Sequence, residues 1–311
     1  TSFGLNNNED VFAKLSMGVP VPTIYNRLDE AKVDWAYYFG SLPVVSLLGG
    51  AGPYHVELGP NDGTGRIRRF GDSKLARGQF FEDAAAGKLP PVVYIDPAFD
   101  LNDDHPPVHP ILGQELIASV YMALAKSPQW KNILFVVTYD EHGGYFDHVP
   151  PPKTADDTLA KFGKPGFDQL GFRVPALVMG PYAKQNYVSS VQYDHTSALK
   201  HLQNHFNLGG LTARMDAAAD LTDCIDLDRL ARGEPAPPIN QLPMFDSNEW
   251  PFGDMACAPP RSSLPLKADG PITAWADANP TAFTGYYDAR GDAHEYLQGI
   301  HNFCIKNGLY K

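Results

Sequence analysis

The sequence predicts an α/β protein with a mainly parallel sheet, and three observations carry that expectation. Short apolar, β-branched runs alternate with helical patterns. The runs stop abruptly, on glycines or on carboxylates. The alternation persists to about residue 233 and then decays into Pro-rich, weakly periodic sequence.

Taken in order, residues 22–32 read as a short helix with Pro22 at its start, followed by a strand over Val33–Tyr38. A second strand, Pro43–Leu48, ends on Gly49-Gly50, and a polar, Gly-rich passage runs from Gly59 to Arg66. A helix near Gln79–Ala86 leads to the strand Pro91–Ile95, which closes on Asp96-Pro97. Ile111–Lys126 is the strongest helix, since Leu112, Leu116, Ile117, Val120, Tyr121 and Leu124 recur at the 3/4 spacing of one buried face. The strands Asn132–Tyr139 and Arg173–Met179 follow, the latter ending in Gly180-Pro181. A helix over His195–Phe206 is stopped by Gly209-Gly210. Residues 1–233 are therefore expected to form the α/β domain, with 234–311 an extended appendage packing on it.

Composition bounds the function. A net charge of −11 over 311 residues argues against nucleic acid as a partner, because phosphate backbones call for a basic face. No apolar run approaches the roughly 18 residues that span a bilayer. Three cysteines, Cys224, Cys257 and Cys304, are too few for a disulfide scaffold, and the sequence does not say whether any two pair. Nothing at the start resembles a signal peptide or an initiator Met, so Thr1 reads as a processed or truncated end.

Four constellations could carry chemistry. In Asp140-Glu141-His142-Gly143-Gly144, a buried strand runs into two carboxylates and an imidazole. Ligands of open α/β sheets bind at the carboxyl ends of strands, and adjacent carboxylates call for a cation. The ordinary alternative is a polar loop with Asp140 capping a turn. In Asn102-Asp103-Asp104-His105-Pro106-Pro107 the competing reading is plain turn chemistry. In Tyr193-Asp194-His195-Thr196-Ser197, either Asp194 or Thr196-Ser197 simply caps a helix, or His195 stays neutral and moves protons. Thr1-Ser2-Phe3-Gly4 is a frayed end unless the Thr1 hydroxyl is a nucleophile. The run Arg66-Ile67-Arg68-Arg69 reads as solvated surface, with a phosphate contact as the alternative.

These blocks, with Pro22 to Leu28, Ser127-Pro128-Gln129-Trp130, Thr138 to Pro151 and Gly171 to Pro175, resemble one family in its order. It is the phosphoesterase family of non-specific phospholipases C and the bacterial acid phosphatase A group. The resemblance covers Thr1 to about Leu208. It implies an alkaline-phosphatase-like α/β/α sandwich and a divalent metal (Ca, Zn, Mn or Fe) held in part by Asp140, Glu141 and the Thr1 hydroxyl. Thr1 aligns with a nucleophile that becomes phosphorylated and is then freed by water. His105, His142 and His195 fall in site-lining blocks, one to protonate the leaving alkoxide and the others to hold phosphoryl oxygens; Asp104 and Asp194 are candidate substrate contacts.

The implied substrate is a phosphate ester or phospholipid, and the implied location is periplasmic or secreted. The family's opening strand and Glu-Asn-Arg-Ser-Phe-Asp segment, which supplies the remaining metal ligands, does not occur here. The expectation is a sheet lacking its N-terminal strands and a second chain carrying that part. Alternatives are a sulfate or phosphonate ester hydrolase, a non-catalytic scaffold subunit, or an amidohydrolase using the Thr1 amine, which would need no metal cluster.

Overall fold

A computed structural model describes residues 22–41, 65–73, 75–99, 101–105, 110–163 and 166–239, with positions 43, 45 and 108. The elements, in order, are α1 (Ile24–Glu30), β1 (Trp35–Phe39), β2 (Ile67–Arg69), α2 (Gln79–Ala85), β3 (Val92–Asp96) and α3 (Pro110–Lys126). After a 3-10 turn at Trp130–Asn132 come β4 (Phe135–Thr138), α4 (Thr158–Phe162), β5 (Ala176–Met179), α5 (Thr196–Phe206), α6 (Ala213–Ala217) and α7 (Leu227–Arg232). The chain is thus α/β, as expected.

The central sheet is parallel, in the order β2-β1-β3, with Trp35 opposite Val92 and Phe39 opposite Asp96. All five residues of β1 are buried, the signature of a strand covered on both faces. Alternation sends Trp35, Tyr37 and Phe39 to one side, where they meet α1 residues and Leu199, Leu202 and Phe206 of α5. Ala36 and Tyr38 face the other side and pack on Phe80, Phe81 and Ala84 of α2 and on Leu116, Val120 and Leu124 of α3. Each large side chain fully buried here contributes about 1.5–3 kcal/mol.

The α3 prediction stands almost to the residue: Leu116, Val120, Tyr121 and Leu124 are buried, and Pro110 opens the helix. Four expectations are corrected. Arg66 to Arg69 is not merely solvated surface. Its backbone is β2, paired to β1, and Arg68 reaches Asp83 at 2.9 Å. Asp83 also accepts the Tyr38 hydroxyl at 2.6 Å, so a buried carboxylate has a cation and a donor together. Burial, with the Asp83 hydrogen bond next, pushes the Tyr38 phenol well above its ordinary range.

Second, among the described residues β4 and β5 do not join the parallel sheet as expected but pair antiparallel in a two-stranded sheet of their own, with Thr138 opposite Ala176 and Phe135 opposite Met179. The reason lies in the connection. Among the described residues, 139–175 form only the short helix α4, and the stretch returns to its starting point, where Tyr139 N–H donates to the Pro175 carbonyl at 3.2 Å. A chain that re-enters beside its exit must run backwards. Third, α5 stops at Asn207 rather than at Gly209-Gly210, because Asn207 takes the left-handed conformation (φ 53°). Fourth, the short helices α4, α6 and α7 add to the predicted elements, each too short to write a period into the sequence. Of the predicted strand Pro43–Leu48 only the buried Pro43 and Val45 are described, and the rest lies outside the described residues.

One close approach ties the end of β1 to the chain beyond β3. A Cβ on Gly40, just past β1, would sit 2.4 Å from the Ala98 backbone nitrogen. Its own N–H donates to the Asp96 carbonyl at 3.1 Å. Beyond residue 233 the chain crosses α3: the Ala236 carbonyl accepts from the Trp130 indole at 3.0 Å, and Ile239 N–H donates to the Tyr121 hydroxyl at 2.9 Å. Cys224 is a free thiol, and Cys257 and Cys304 lie outside the described residues.

Candidate active site

The site is organised around Tyr139, the first residue after β4. Its hydroxyl donates to Asp104 Oδ2 at 2.5 Å, and its backbone carbonyl meets His195 Nε2 at 2.9 Å. Three blocks that are far apart in sequence, at 102–105, 139–142 and 193–197, therefore converge on one residue. A carbonyl only accepts, so His195 Nε2 carries a proton and Nδ1 is left as the basic nitrogen. The bond to Asp104, helped by burial, pushes the Tyr139 phenol up to about 12.

Asp104 is fixed from several directions. It adopts φ 61°, and its Oδ1 is buried without a hydrogen-bond partner among the described residues. Its carboxylate lies over Gly113 in the first turns of α3, where a Cβ would come within 2.1 Å of Oδ1. His105 is exposed; its backbone N–H donates to Asp103 Oδ1 at 3.3 Å. Asp194 is engaged at the start of α5, accepting from Thr196 N–H at 2.7 Å and Thr196 Oγ1 at 2.5 Å. His195 occupies the N-cap position, which turns it toward Tyr139 rather than into the helix.

A further carboxylate stands near Asp140 besides the neighbouring Glu141. Asp96, at the end of β3, lies close enough to Asp140 to feel its charge: burial first, and Asp140 second, raise the Asp96 carboxyl to about 7. Glu141 is exposed and turned onto its own loop, accepting from Gly143 N–H at 2.9 Å. The strand-end rule that points to Asp140 applies equally to Asp96, and it is the signal that would have found it. Tyr139 carries no such signal, because an aromatic residue at a strand end is ordinary.

Two carboxylates near enough to feel each other's charge, one of them half-buried, fit a divalent cation by charge and donor type. Among the described residues no three His, Cys, Asp or Glu side chains converge on one point. The pair is thus part of a coordination shell at most. Thr1 lies outside the described residues.

Beyond Asp140 the chain makes a turn with Gly143 and Gly144 both left-handed, at φ 68° and 74°. His142 Nδ1 contacts the Tyr145 carbonyl at 2.9 Å, so Nε2 is its basic nitrogen, and its ring meets Phe172 edge-on at 4.8 Å. Asp147 and Arg173 form a two-point pair, both contacts at 2.7 Å. Those bonds hold the Asp147 carboxyl well below the usual carboxylate range. An open cleft of about 380 Å³ lies between this turn and Arg173, Val174 and Pro175.

Fold and site together define an α/β protein whose acidic and imidazole groups gather at the strand ends. The Phosphoesterase family matches residues 1–209, and the chain belongs to that family. It is 34% identical to non-specific phospholipase C6 of Arabidopsis thaliana over 246 residues, which cover 72% of this chain and 44% of that protein. Non-specific phospholipase C5 of the same plant is 34% identical, covering 70% and 43%. Phospholipase C B of Mycobacterium tuberculosis (strain CDC 1551 / Oshkosh) is 31% identical, covering 71% and 44%. The chain spans less than half the length of these curated relatives.

Proposed function

We propose that the chain hydrolyses phosphoric esters of the phospholipase C or acid phosphatase type, with a divalent cation and Thr1 as nucleophile. The observation that carries this reading is the meeting of Asp104, His195 and the Asp140 strand end on Tyr139. Acidic and imidazole groups brought together at a strand end support a reading in which one donates a proton and others hold a cation and the substrate.

A cation bound through Asp140, with Glu141 and the Thr1 hydroxyl as the further expected ligands, would lower the hydroxyl pKa and offset charge developing on phosphoryl oxygens. Thr1 Oγ1 attacks phosphorus as the bond to the leaving oxygen breaks. His195, whose Nε2 proton is held by the Tyr139 carbonyl, would take the proton that Thr1 Oγ1 loses on its basic Nδ1 and then return it to that leaving oxygen. Water then attacks the phosphothreonine and returns the hydroxyl. His105 and His142 would contact phosphoryl oxygens, and Asp104 orients Tyr139. The periplasm or the medium is the location that goes with this reading.

The test monitors release of phosphocholine from phosphatidylcholine and of nitrophenol from para-nitrophenyl phosphate. Chelation is expected to stop both, and one of Ca, Zn, Mn or Fe to restore them. Acid-quenched turnover should leave a phosphoryl group on the Thr1 peptide, detected by mass spectrometry. Undiminished turnover in chelator, or full turnover by Thr1→Ala, would overturn the corresponding part.

A further inference from the structure

The turn after Asp140 does something unusual with its aromatic residues. Tyr145 is 77% exposed and Phe146, its neighbour, 85% exposed. Large rings normally supply the most valuable burial a chain has, and here two in succession are held in solvent.

They are held firmly. Tyr145 N–H donates to the His142 carbonyl at 3.2 Å, while His142 Nδ1 returns a contact to the Tyr145 carbonyl. Asp147, the next residue after Phe146, is locked twice by Arg173 and accepts Val149 N–H at 3.1 Å. A turn clamped at both ends presents its rings without the entropy cost a loose loop would incur on binding. Val149, also exposed, extends the apolar edge. The rings also form one wall of the open cleft, opposite Arg173 and Val174.

We infer that Tyr145 and Phe146 seat the chain on a zwitterionic phospholipid surface, so that His142 and Asp140 lie at headgroup level. The inference rests on the phospholipid reading above. Charge selects the surface: a chain of net charge −11 is repelled by anionic lipid, leaving ring insertion into a neutral interface as the source of affinity. Tyr145, with its polar hydroxyl edge, partitions to that depth, and the Phe146 ring beside it adds purely apolar insertion.

The experiment uses the full chain and phosphatidylcholine vesicles, with co-sedimentation reading the bound fraction. Wild type is expected to sediment with vesicles, and Tyr145→Ser and Phe146→Ser each to weaken the partition constant about tenfold. Both variants should keep the wild-type melting temperature, since the rings bury almost nothing in the protein. Leu227→Ser, which removes an exposed apolar residue of α7, should bind as wild type. Vesicle binding without turnover of any phosphate ester leaves the docking surface standing and removes the hydrolase reading. Turnover of para-nitrophenyl phosphate without vesicle binding does the reverse. Unchanged binding by both ring variants, an equal loss with Leu227→Ser, or a wild-type dimer that Phe146→Ser dissociates would each overturn the inference.

Discussion

The parallel sheet and the β4–β5 pair are both built from short apolar runs, yet they live in different surroundings. β1 is buried at every position, and its neighbours on both faces are aromatic and aliphatic side chains. In β5 the first two residues are exposed, with Leu177 at 51%, and the loop leaving β4 carries Tyr145 and Phe146 into solvent. The first region holds the chain together, whereas the second carries the groups that can react. On the proposed function, the contrast teaches that stability and chemistry are divided between two sheets, and they meet where Asp96 of β3 feels the charge of Asp140.

The sharpest way to test that division is to strike one side and watch the other. Asp140→Ala should lower turnover by about 10²–10⁴-fold, the range for a group that places or stabilises charge in the transition state. It should leave the fold intact, because Asp140 is exposed, with at most a small rise in the unfolding midpoint near pH 7 as its repulsion of Asp96 is relieved. Phe80→Ala should do the converse: it removes a fully buried ring between β1 and α2 and should cost about 3–5 kcal/mol in denaturant unfolding. If Phe80→Ala left stability intact, the core would not be where the burial places it.

Next in size is a pH effect at the junction. Asp96 has a folded carboxyl raised to about 7 from an unfolded value near 3.8. A raised pKa means the folded state holds its proton more tightly, so the stabilisation is fully present below about pH 4 and is lost as pH climbs through 7. Unfolding free energy of the metal-free protein should fall over that window by up to about 4 kcal/mol, and Asp96→Asn should flatten the profile. A flat wild-type profile would separate Asp96 from Asp140.

Smaller effects probe the supports. Gly113→Ala puts a methyl group on the Asp104 carboxylate and should cost about 1–3 kcal/mol, with turnover falling as Asp104 shifts from Tyr139. Asn207→Ala, at the left-handed end of α5, should cost only about 1 kcal/mol and leave turnover alone, while Asn207→Gly should be close to neutral.

Much of this is legible in the sequence, and the exceptions have physical causes. Helix α3 announces itself through Leu116, Val120, Tyr121 and Leu124, because burial on one face writes a period into the sequence. β2 does not, since three residues with two arginines carry no apolar alternation, and only pairing with β1 makes them a strand. The direction of β5 is hidden because direction is set by the path of residues 139–175, which no residue within β5 records. Asp104, Asp140 and His195 are each visible as polar residues at element ends. Their meeting on Tyr139 is not, because it depends on bonds spanning 35 and 56 residues. Asp96 is less conspicuous than Asp140 only because it stands beside a proline instead of a second acid.

Gly40 has a consequence for anyone mapping this protein by mutational tolerance. It bears no reactive group, and its place under the Ala98 backbone looks like a detail of chain crossing. Yet any side chain there must lift the segment that begins at Asp96, and so displace a carboxylate it never touches. In a saturation library screened for hydrolysis, position 40 should sort with the acids and histidines, and its intolerance would mark transmitted displacement rather than participation.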